Sequence, residues 1–190
     1  DAVVSRGLGD VYKRQDDLAK ILDMTRRKAE YFGYTDSPYN ALLDQYETGL
    51  TVTRLDPLFQ GLRRSVSPLV RLILESGITP SDDWVHGVKW PIESQEMLSQ
   101  KVSEAIGFDF NSGRRDSSIH PFCGGPNPQD VRWTTRYDES EPFGSLFGSM
   151  HETGHGTYEQ GRPVGLVYQP AGKACGLGVH ESQSRLWENQ

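Results

Sequence analysis

The chain has little of several features that mark whole classes of protein. It has only two cysteines, Cys123 and Cys175, and they lie far apart. Two distant cysteines do not make a disulfide framework, so we expect a reducing, cytoplasmic setting and two small buried thiols. There is also no run of about 18 apolar residues, which predicts no membrane-spanning helix. The N-terminus has no basic region followed by an apolar one, which predicts no secretory signal.

Positive charge is in deficit as well. The chain has 20 lysines and arginines against 26 aspartates and glutamates, a net charge of -6. A nucleic-acid-binding face needs a basic excess, so we expect no nucleic-acid partner. Hydrophobic residues make up 35% of the 190 positions, which is enough for one domain with a real core.

The first 15 residues, DAVVSRGLGDVYKRQ, have no periodicity that continues into the rest of the chain. We interpret residues 1–15 as an artefactual or disordered segment and leave them out of the fold prediction. The folded domain is then expected over residues 16–190.

Most of that domain has the apolar spacing of helices. Asp56 and Pro57 have the types preferred at a helix N-cap and first turn, and Pro68 should bend or split the helix that follows. Ser140 is the expected cap of a later helix. The predicted helices cover approximately residues 16–32, 56–76, 91–106, 141–160 and 179–190.

One stretch has the alternation of a strand instead. In VRWTTRY, residues 131–137, Val131, Trp133, Thr135 and Tyr137 share one face, which predicts a half-buried strand. Residues 107–130 are rich in glycine, proline, asparagine, aspartate and serine, which favours loop with short extended pieces.

The chemistry is concentrated in His151-Glu152-Thr153-Gly154-His155, which matches H-E-x-x-H. On a helix, residues four apart lie on one face, so both imidazoles can converge on one metal ion. Glu152 projects about 100° round the helix from His151, beside such an ion rather than on it. From there it can take a proton from water.

A catalytic zinc site needs a third protein ligand. The extended form of the motif needs glycine at position 158 and histidine at position 161, and the chain has Tyr158 and Gly161. Glu159 is excluded because three ligands over eight residues of one helix span about 12 Å. Glu181 is the best candidate, and Glu188, seven residues later on nearly the same face, is the alternative.

Several motifs occur in a fixed order along the chain: HPF at 120–122, D-x-R-x-T at 130–134, H-E-x-x-H at 151–155 and H-E-S at 180–182. Together they resemble the metallocarboxypeptidases of the carboxypeptidase Taq type, peptidase family M32. The flanking text YNALLDQYETG and GRRDSSIHPF is similar as well. The resemblance begins at about residue 16 and runs to the last residue.

The resemblance implies a mainly α, zincin-type helical metallopeptidase fold with a small β-sheet beside a substrate groove. It implies a divalent metal, zinc or cobalt, held by His151, His155 and Glu181, with Glu152 as general base. It also implies removal of single residues from peptides with a free C-terminus, by cytoplasmic homodimers. Family members are much longer, so we expect residues 16–190 to be a partial catalytic domain, truncated at its C-terminus.

Two further residues are candidates for binding substrate. His120 can donate a hydrogen bond to the oxyanion, or it can be a structural loop histidine. Arg132 can bind the terminal carboxylate with two parallel hydrogen bonds. It can equally pair with Asp130 or Asp138.

Spacing alone does not separate an exopeptidase from an endopeptidase, and only the resemblance favours the former. A metallo-endopeptidase with the same zinc-site type is therefore the first alternative. A catalytically inactive metal-binding fragment is the second.

Overall fold

The computed structural model describes residues 14–85 and 87–190. The segment 1–15, predicted to be artefactual or disordered, lies outside the described residues except for positions 14 and 15. Its origin stays a prediction. The described residues are mainly helical with one small sheet, as the sequence predicted. The elements are α1 (Gln15–Phe32), α2 (Pro38–Leu43), α3 (Val52–Glu75), α4 (Ile92–Ile106), β1 (Gly113–Ser117), β2 (Phe122–Asn127), β3 (Asp130–Thr135), α5 (Pro142–Gln160) and α6 (Leu177–Asn189).

The chain divides into two compact units, Asp1–Ser76 and Gly77–Gln190. In the first unit, buried Asn40 organises the connections around α2. Its amide nitrogen donates to the carbonyl oxygen of Thr35 at 2.9 Å, and its side-chain oxygen accepts from the backbone nitrogen of Val52 at 2.9 Å. One side chain thereby ties the start of α2 to the start of α3.

Helix α3 differs from its prediction. It begins at Val52 rather than at Asp56, and it continues through both Pro57 and Pro68 without a break. The prediction that Pro57 occupies the first helical position was wrong, and Pro68 does not split the helix. A proline removes one backbone hydrogen bond, and the remaining bonds of a 24-residue helix carry it past such a gap.

The second unit contains a three-stranded sheet in the order β1-β3-β2. β1 is parallel to β3, and β2 is antiparallel to it. The predicted strand is present as β3, with Val131, Trp133 and Thr135 buried, although it ends before Tyr137. Val131 and Trp133 form the apolar core with Phe108, and Phe110 and Cys123 pack against this cluster.

Helices α4 and α5 meet along a seam of small polar side chains rather than apolar ones. Ser103 and Thr153 share a hydroxyl–hydroxyl hydrogen bond of 2.8 Å, and Ser149 donates to Ser99 at 2.9 Å. Ser145 donates to the side-chain oxygen of Gln95 at 2.7 Å. Each partner is buried, so these bonds satisfy groups that would otherwise be costly to bury.

The cap of α5 also differs from its prediction. The carboxylate of Glu141, not Ser140, accepts hydrogen bonds from the backbone nitrogens of Phe143 and Gly144, at 3.0 and 2.7 Å. The hydroxyl of Ser140 donates instead to Asp138 at 2.6 Å. A carboxylate with two oxygens can satisfy two free N–H groups of the first turn, where a single hydroxyl satisfies one.

Helix α6 packs closely on α5 because Gly154 leaves space for it. A methyl group added at Gly154 would lie 2.6 Å from the carbonyl oxygen of Gln183 and 2.7 Å from the Cα atom of Ser184. The two backbones therefore approach more closely than any larger side chain permits. None of the helices in the described part of the chain is both long and apolar enough to cross a membrane.

Candidate metal centre

The two histidines of H-E-x-x-H project from one face of α5. Their ring centroids are 4.9 Å apart and the ring planes are nearly perpendicular. Both rings are largely shielded from solvent, with side-chain exposures of 19% for His151 and 14% for His155. The helical spacing therefore brings together the two imidazoles that the sequence placed in one site.

A carboxylate from α6 faces both rings. The Oε2 atom of Glu181 is 3.3 Å from Nε2 of His155, and its Oε1 atom is 3.8 Å from Nε2 of His151. One donor atom from each of the three residues lies within 4.8 Å of the other two. Two imidazole nitrogens and one carboxylate oxygen are donors that suit zinc and similar divalent ions, so the residues present fit such a metal.

Glu152 is buried, with 7% of its surface exposed. Burial is the main reason why the pKa of Glu152 is raised to about 7. The positive charge of a protonated His151 opposes this rise, and the carboxylates of Glu181 and Glu188 add to it. A cation held beside Glu152 would lower this pKa again, because an opposite charge favours the ionised form.

The second nitrogen of each ring also has a partner. Nδ1 of His151 is 2.9 Å from Oε2 of Glu188, and Nδ1 of His155 is 2.6 Å from Nδ1 of His180. The alternative third ligand, Glu188, therefore contacts His151 through the ring nitrogen that does not face Glu181. Burial and the neighbouring His180 and His151 lower the pKa of His155, which favours its neutral form.

His180 is a residue whose role the sequence analysis missed. Its Nε2 atom is 2.8 Å from Oε1 of Glu159, and this hydrogen bond is the main cause of a lowered pKa at Glu159. Arg162 pairs with the second oxygen of the same carboxylate. The available signal was the position of His180 directly before Glu181 at the start of a helix.

Arg185 connects the two carboxylates of α6. Its Nε atom is 3.1 Å from Oε1 of Glu181, and its Nη1 atom is 2.8 Å from Oε2 of Glu188. The Arg185 side chain is 55% exposed. Solvent therefore screens these pairs, and we assign them orientation of the carboxylates rather than a large stabilising energy.

The structure does not bring the two proposed substrate-binding residues into this cluster. His120 is exposed in the connection between β1 and β2. Arg132 makes two hydrogen bonds of 2.8 Å to the two oxygens of Asp130, the first of its structural alternatives. The substrate roles of His120 and Arg132 stay predictions.

The two cysteines differ from each other. Cys123 is partly buried, and the pKa of its thiol is raised to about 12, first by burial and then by the charges of Glu152 and Glu159. Cys175 is exposed, so the expectation of two buried thiols was wrong for this residue. It lies in the turn-rich connection between α5 and α6.

Comparison with known proteins identifies the family of this chain. The family model described as "Carboxypeptidase Taq (M32) metallopeptidase" matches residues 5–190. The chain belongs to the M32 metallopeptidase family.

Among the M32 relatives, Carboxypeptidase 1 of Bacillus subtilis is 38% identical over 185 residues, covering 97% of this chain and 37% of the relative. Thermostable carboxypeptidase 1 of Thermus thermophilus is 41% identical over 181 residues, covering 90% of this chain and 35% of the relative. The crystal structure of the M32 carboxypeptidase from Deinococcus radiodurans R1 matches with a TM-score of 0.87 and 34% identity, covering 95% and 36% of the two chains. The chain thus spans little more than a third of the length of the M32 proteins it matches.

Proposed function

We propose that this chain carries the metal centre of a metal-dependent carboxypeptidase, and that residues 16–190 are part of its catalytic domain. The observation that carries the proposal is the convergence of His151, His155 and Glu181 from two helices, with the carboxylate of Glu152 buried beside them. Zinc is the proposed metal and cobalt the alternative. When bound, such an ion acts as a Lewis acid that polarises a carbonyl group and lowers the pKa of water.

The chain's own residues then have distinct roles. The Nε2 atoms of His151 and His155 and a carboxylate oxygen of Glu181 hold the metal. A carboxylate oxygen of Glu152 takes a proton from the attacking water and later delivers it to the nitrogen of the leaving amino acid. Burial also raises the pKa of Glu152 to about 7, which suits a group that must both take and deliver a proton.

The relatives are named as carboxypeptidases, which supports the removal of residues from a free C-terminus. The site geometry fits hydrolysis of a peptide bond but does not select the end of the substrate. A metal-binding chain without activity is the second candidate, because the chain spans little more than a third of these relatives. Location in the cytoplasm and assembly into a homodimer stay predictions.

The test is a peptide digestion followed by mass spectrometry. The zinc-loaded chain should shorten a peptide stepwise from its C-terminus, and blocking that terminus as an amide should stop the reaction. Internal cuts would indicate an endopeptidase instead. Bound zinc without any cleavage would indicate the inactive metal-binding alternative.

The role of Glu152 is tested by Glu152→Gln. Loss of a general base should lower turnover by roughly 100- to 10,000-fold, with zinc still bound. Retention of turnover would contradict the assignment.

The role of Glu181 is tested by Glu181→Ala, measured by zinc content after dialysis. The variant should lose the metal, because only two ligands remain. If zinc stays bound, the third ligand lies elsewhere and Glu188 becomes the candidate.

A further inference from the structure

The connection between α5 and α6 must return the chain so that Glu181 faces the two histidines of α5. It covers residues 161–176, which is long compared with the roughly 2–8 residues typical of connections between packed helices. A shift of α6 by one residue along its axis would move Glu181 by about 1.5 Å, whereas a ligand-to-metal distance tolerates only about 0.2 Å. Contacts that fix this connection therefore matter to the metal centre.

One close contact between α5 and α6 lies at Gly154. This glycine adjoins the backbone of Gln183 and Ser184, which follow Glu181 in the chain. It therefore holds α6 on the C-terminal side of the proposed ligand. A contact on the other side of Glu181 would hold the ligand between two fixed points.

Tyr158 makes that second contact, one turn after Gly154 on the same face of α5. Its hydroxyl oxygen accepts a hydrogen bond of 3.0 Å from the backbone nitrogen of Cys175, two residues before α6 begins. Its ring also packs edge-on against His180, with the ring centroids 4.8 Å apart. Glu181 thus lies between the chain positions that contact Tyr158 and Gly154.

Arg162 fixes the middle of the connection. Its Nε atom donates to the carbonyl oxygen of Gly172 at 2.9 Å, and its Nη1 atom pairs with Glu159 in the last turn of α5. The side chains of Arg162 and Glu159 are only 17% and 14% exposed, so solvent screens this pair little. Gly172 is buried, and a methyl group added there would overlap the carbonyl oxygen of Leu166. The connection is therefore folded tightly on itself and tied to the end of α5.

We propose that Tyr158 and Arg162 are positioning residues of the metal centre, which fix residues 161–176 on the end of α5 and thereby place the carboxylate of Glu181 opposite the two histidines. The inference rests on the proposed function and deepens it. The apparent affinity of a site falls with the fraction of molecules in which that site is assembled. Loosening the connection should therefore weaken metal binding, although neither residue is a proposed ligand.

The first test measures zinc affinity by competition with a chromophoric chelator. Tyr158→Phe keeps the ring and removes only the hydroxyl group, so it should weaken zinc binding by about 2- to 10-fold. Gly172→Ala disturbs the connection without changing Glu159, and it should weaken binding by at least about 5-fold. Arg162→Met removes both contacts of the guanidinium group and should weaken binding by at least about 10-fold.

Each variant has a matched control. Tyr168→Phe changes a tyrosine of the same connection that is 89% exposed. Gly165→Ala adds a methyl group in the same connection with no atom within 4 Å of it. Arg114→Met removes an arginine of β1 whose side chain is 62% exposed. All three controls should keep the wild-type affinity for zinc.

The second test separates positioning from general stability. The visible absorption of bound Co²⁺ depends on the geometry of its ligands, and a loss of stability alone leaves it unchanged in the folded molecules. The spectra of cobalt-loaded Tyr158→Phe and Gly172→Ala should differ from that of the wild type. Hydrogen exchange of the metal-free chain should be faster in peptides from residues 161–176 of both variants. Circular dichroism checks folding, and if Gly172→Ala or Arg162→Met does not fold, Tyr158→Phe decides the proposal.

Two results would overturn the proposal. Faster exchange with unchanged zinc affinity and an unchanged cobalt spectrum would mean that the two residues support only the connection. Unchanged exchange in the folded variants would mean that they do not fix it at all.

Failure of the proposed function gives a different result. If the wild-type chain binds no zinc, or if Glu181→Ala binds it equally well, the proposed metal site is wrong. Hydrogen exchange of the metal-free chain then still tests whether Tyr158 and Arg162 fix the connection.

Discussion

At the scale of single residues, Cys123 and Cys175 are chemically different thiols. The thiolate is the reactive form of cysteine. Because burial raises the pKa of Cys123 to about 12, less than about one thiol in a thousand is ionised there at pH 8. Cys175 is exposed to any reagent in solution.

We therefore predict selective alkylation. Iodoacetamide at pH 8 should modify Cys175 of the native chain and leave Cys123 unmodified, as read by peptide mass spectrometry. Guanidinium should make both reactive, which serves as the control. Equal rates in the native chain would contradict the burial of Cys123.

The raised pKa of Cys123 also makes the stability of the fold depend on pH. Folding keeps the Cys123 thiol protonated above its ordinary pKa of 9.0. This contribution to stability is fully present below about pH 9 and is lost as the pH rises towards 12.

At the scale of elements, the contact between α5 and α6 depends on Gly154. We predict that Gly154→Ala lowers the free energy of unfolding by about 1–3 kcal/mol, because its new methyl group meets the backbone of α6. Urea denaturation monitored by circular dichroism measures the loss.

Gly61→Ala is the matched control for this substitution. Gly61 lies within α3 and has no atom within 4 Å of its added methyl group. Alanine should stabilise that helix by up to about 1 kcal/mol. A similar loss in both variants would mean that glycine content, not close packing, explains the effect.

The helices and the strand β3 were predictable from the sequence because apolar residues recur every three to four positions in a helix and every second position in a strand. The errors occur at the first turns of α3 and α5, where the start of the helix depends on which side chain accepts the free backbone N–H groups. Helix α3 starts at Val52 because Asn40, twelve residues earlier, accepts its first N–H group. Glu141 replaces Ser140 as a cap because Ser140 bonds to Asp138.

The metal site shows the same division. Helical spacing was sufficient to place His151 and His155 together. It could not show that His180 contacts His155 or that Glu188 contacts the far nitrogen of His151. Both contacts depend on how α6 packs on α5, and no short-range pattern encodes that packing.

At the scale of the whole molecule, the two units differ in how well they bury their helices. Helix α3 has no buried residue, although it carries exposed apolar side chains at Leu58, Phe59, Leu62 and Leu69. Helix α5 is covered by α4, α6 and the sheet. Helices with little buried surface open more readily than packed ones.

Hydrogen exchange read by mass spectrometry should therefore be faster in peptides from α3 than in peptides from α5. Equal protection in a dilute sample would contradict this prediction. Protection of α3 that rises with protein concentration would indicate that a second copy of the chain covers it.

The two middle residues of the H-E-x-x-H motif, Thr153 and Gly154, pack against the neighbouring helices α4 and α6. In H-E-x-x-H the two middle positions are conventionally free, yet here Thr153 bonds to α4 and Gly154 adjoins the backbone of α6. Both of these middle residues thus have assigned neighbours in three dimensions. A sequence search that lets these two positions vary freely describes a looser site than this chain contains, because a bulky residue at either place would push a helix away from the histidines.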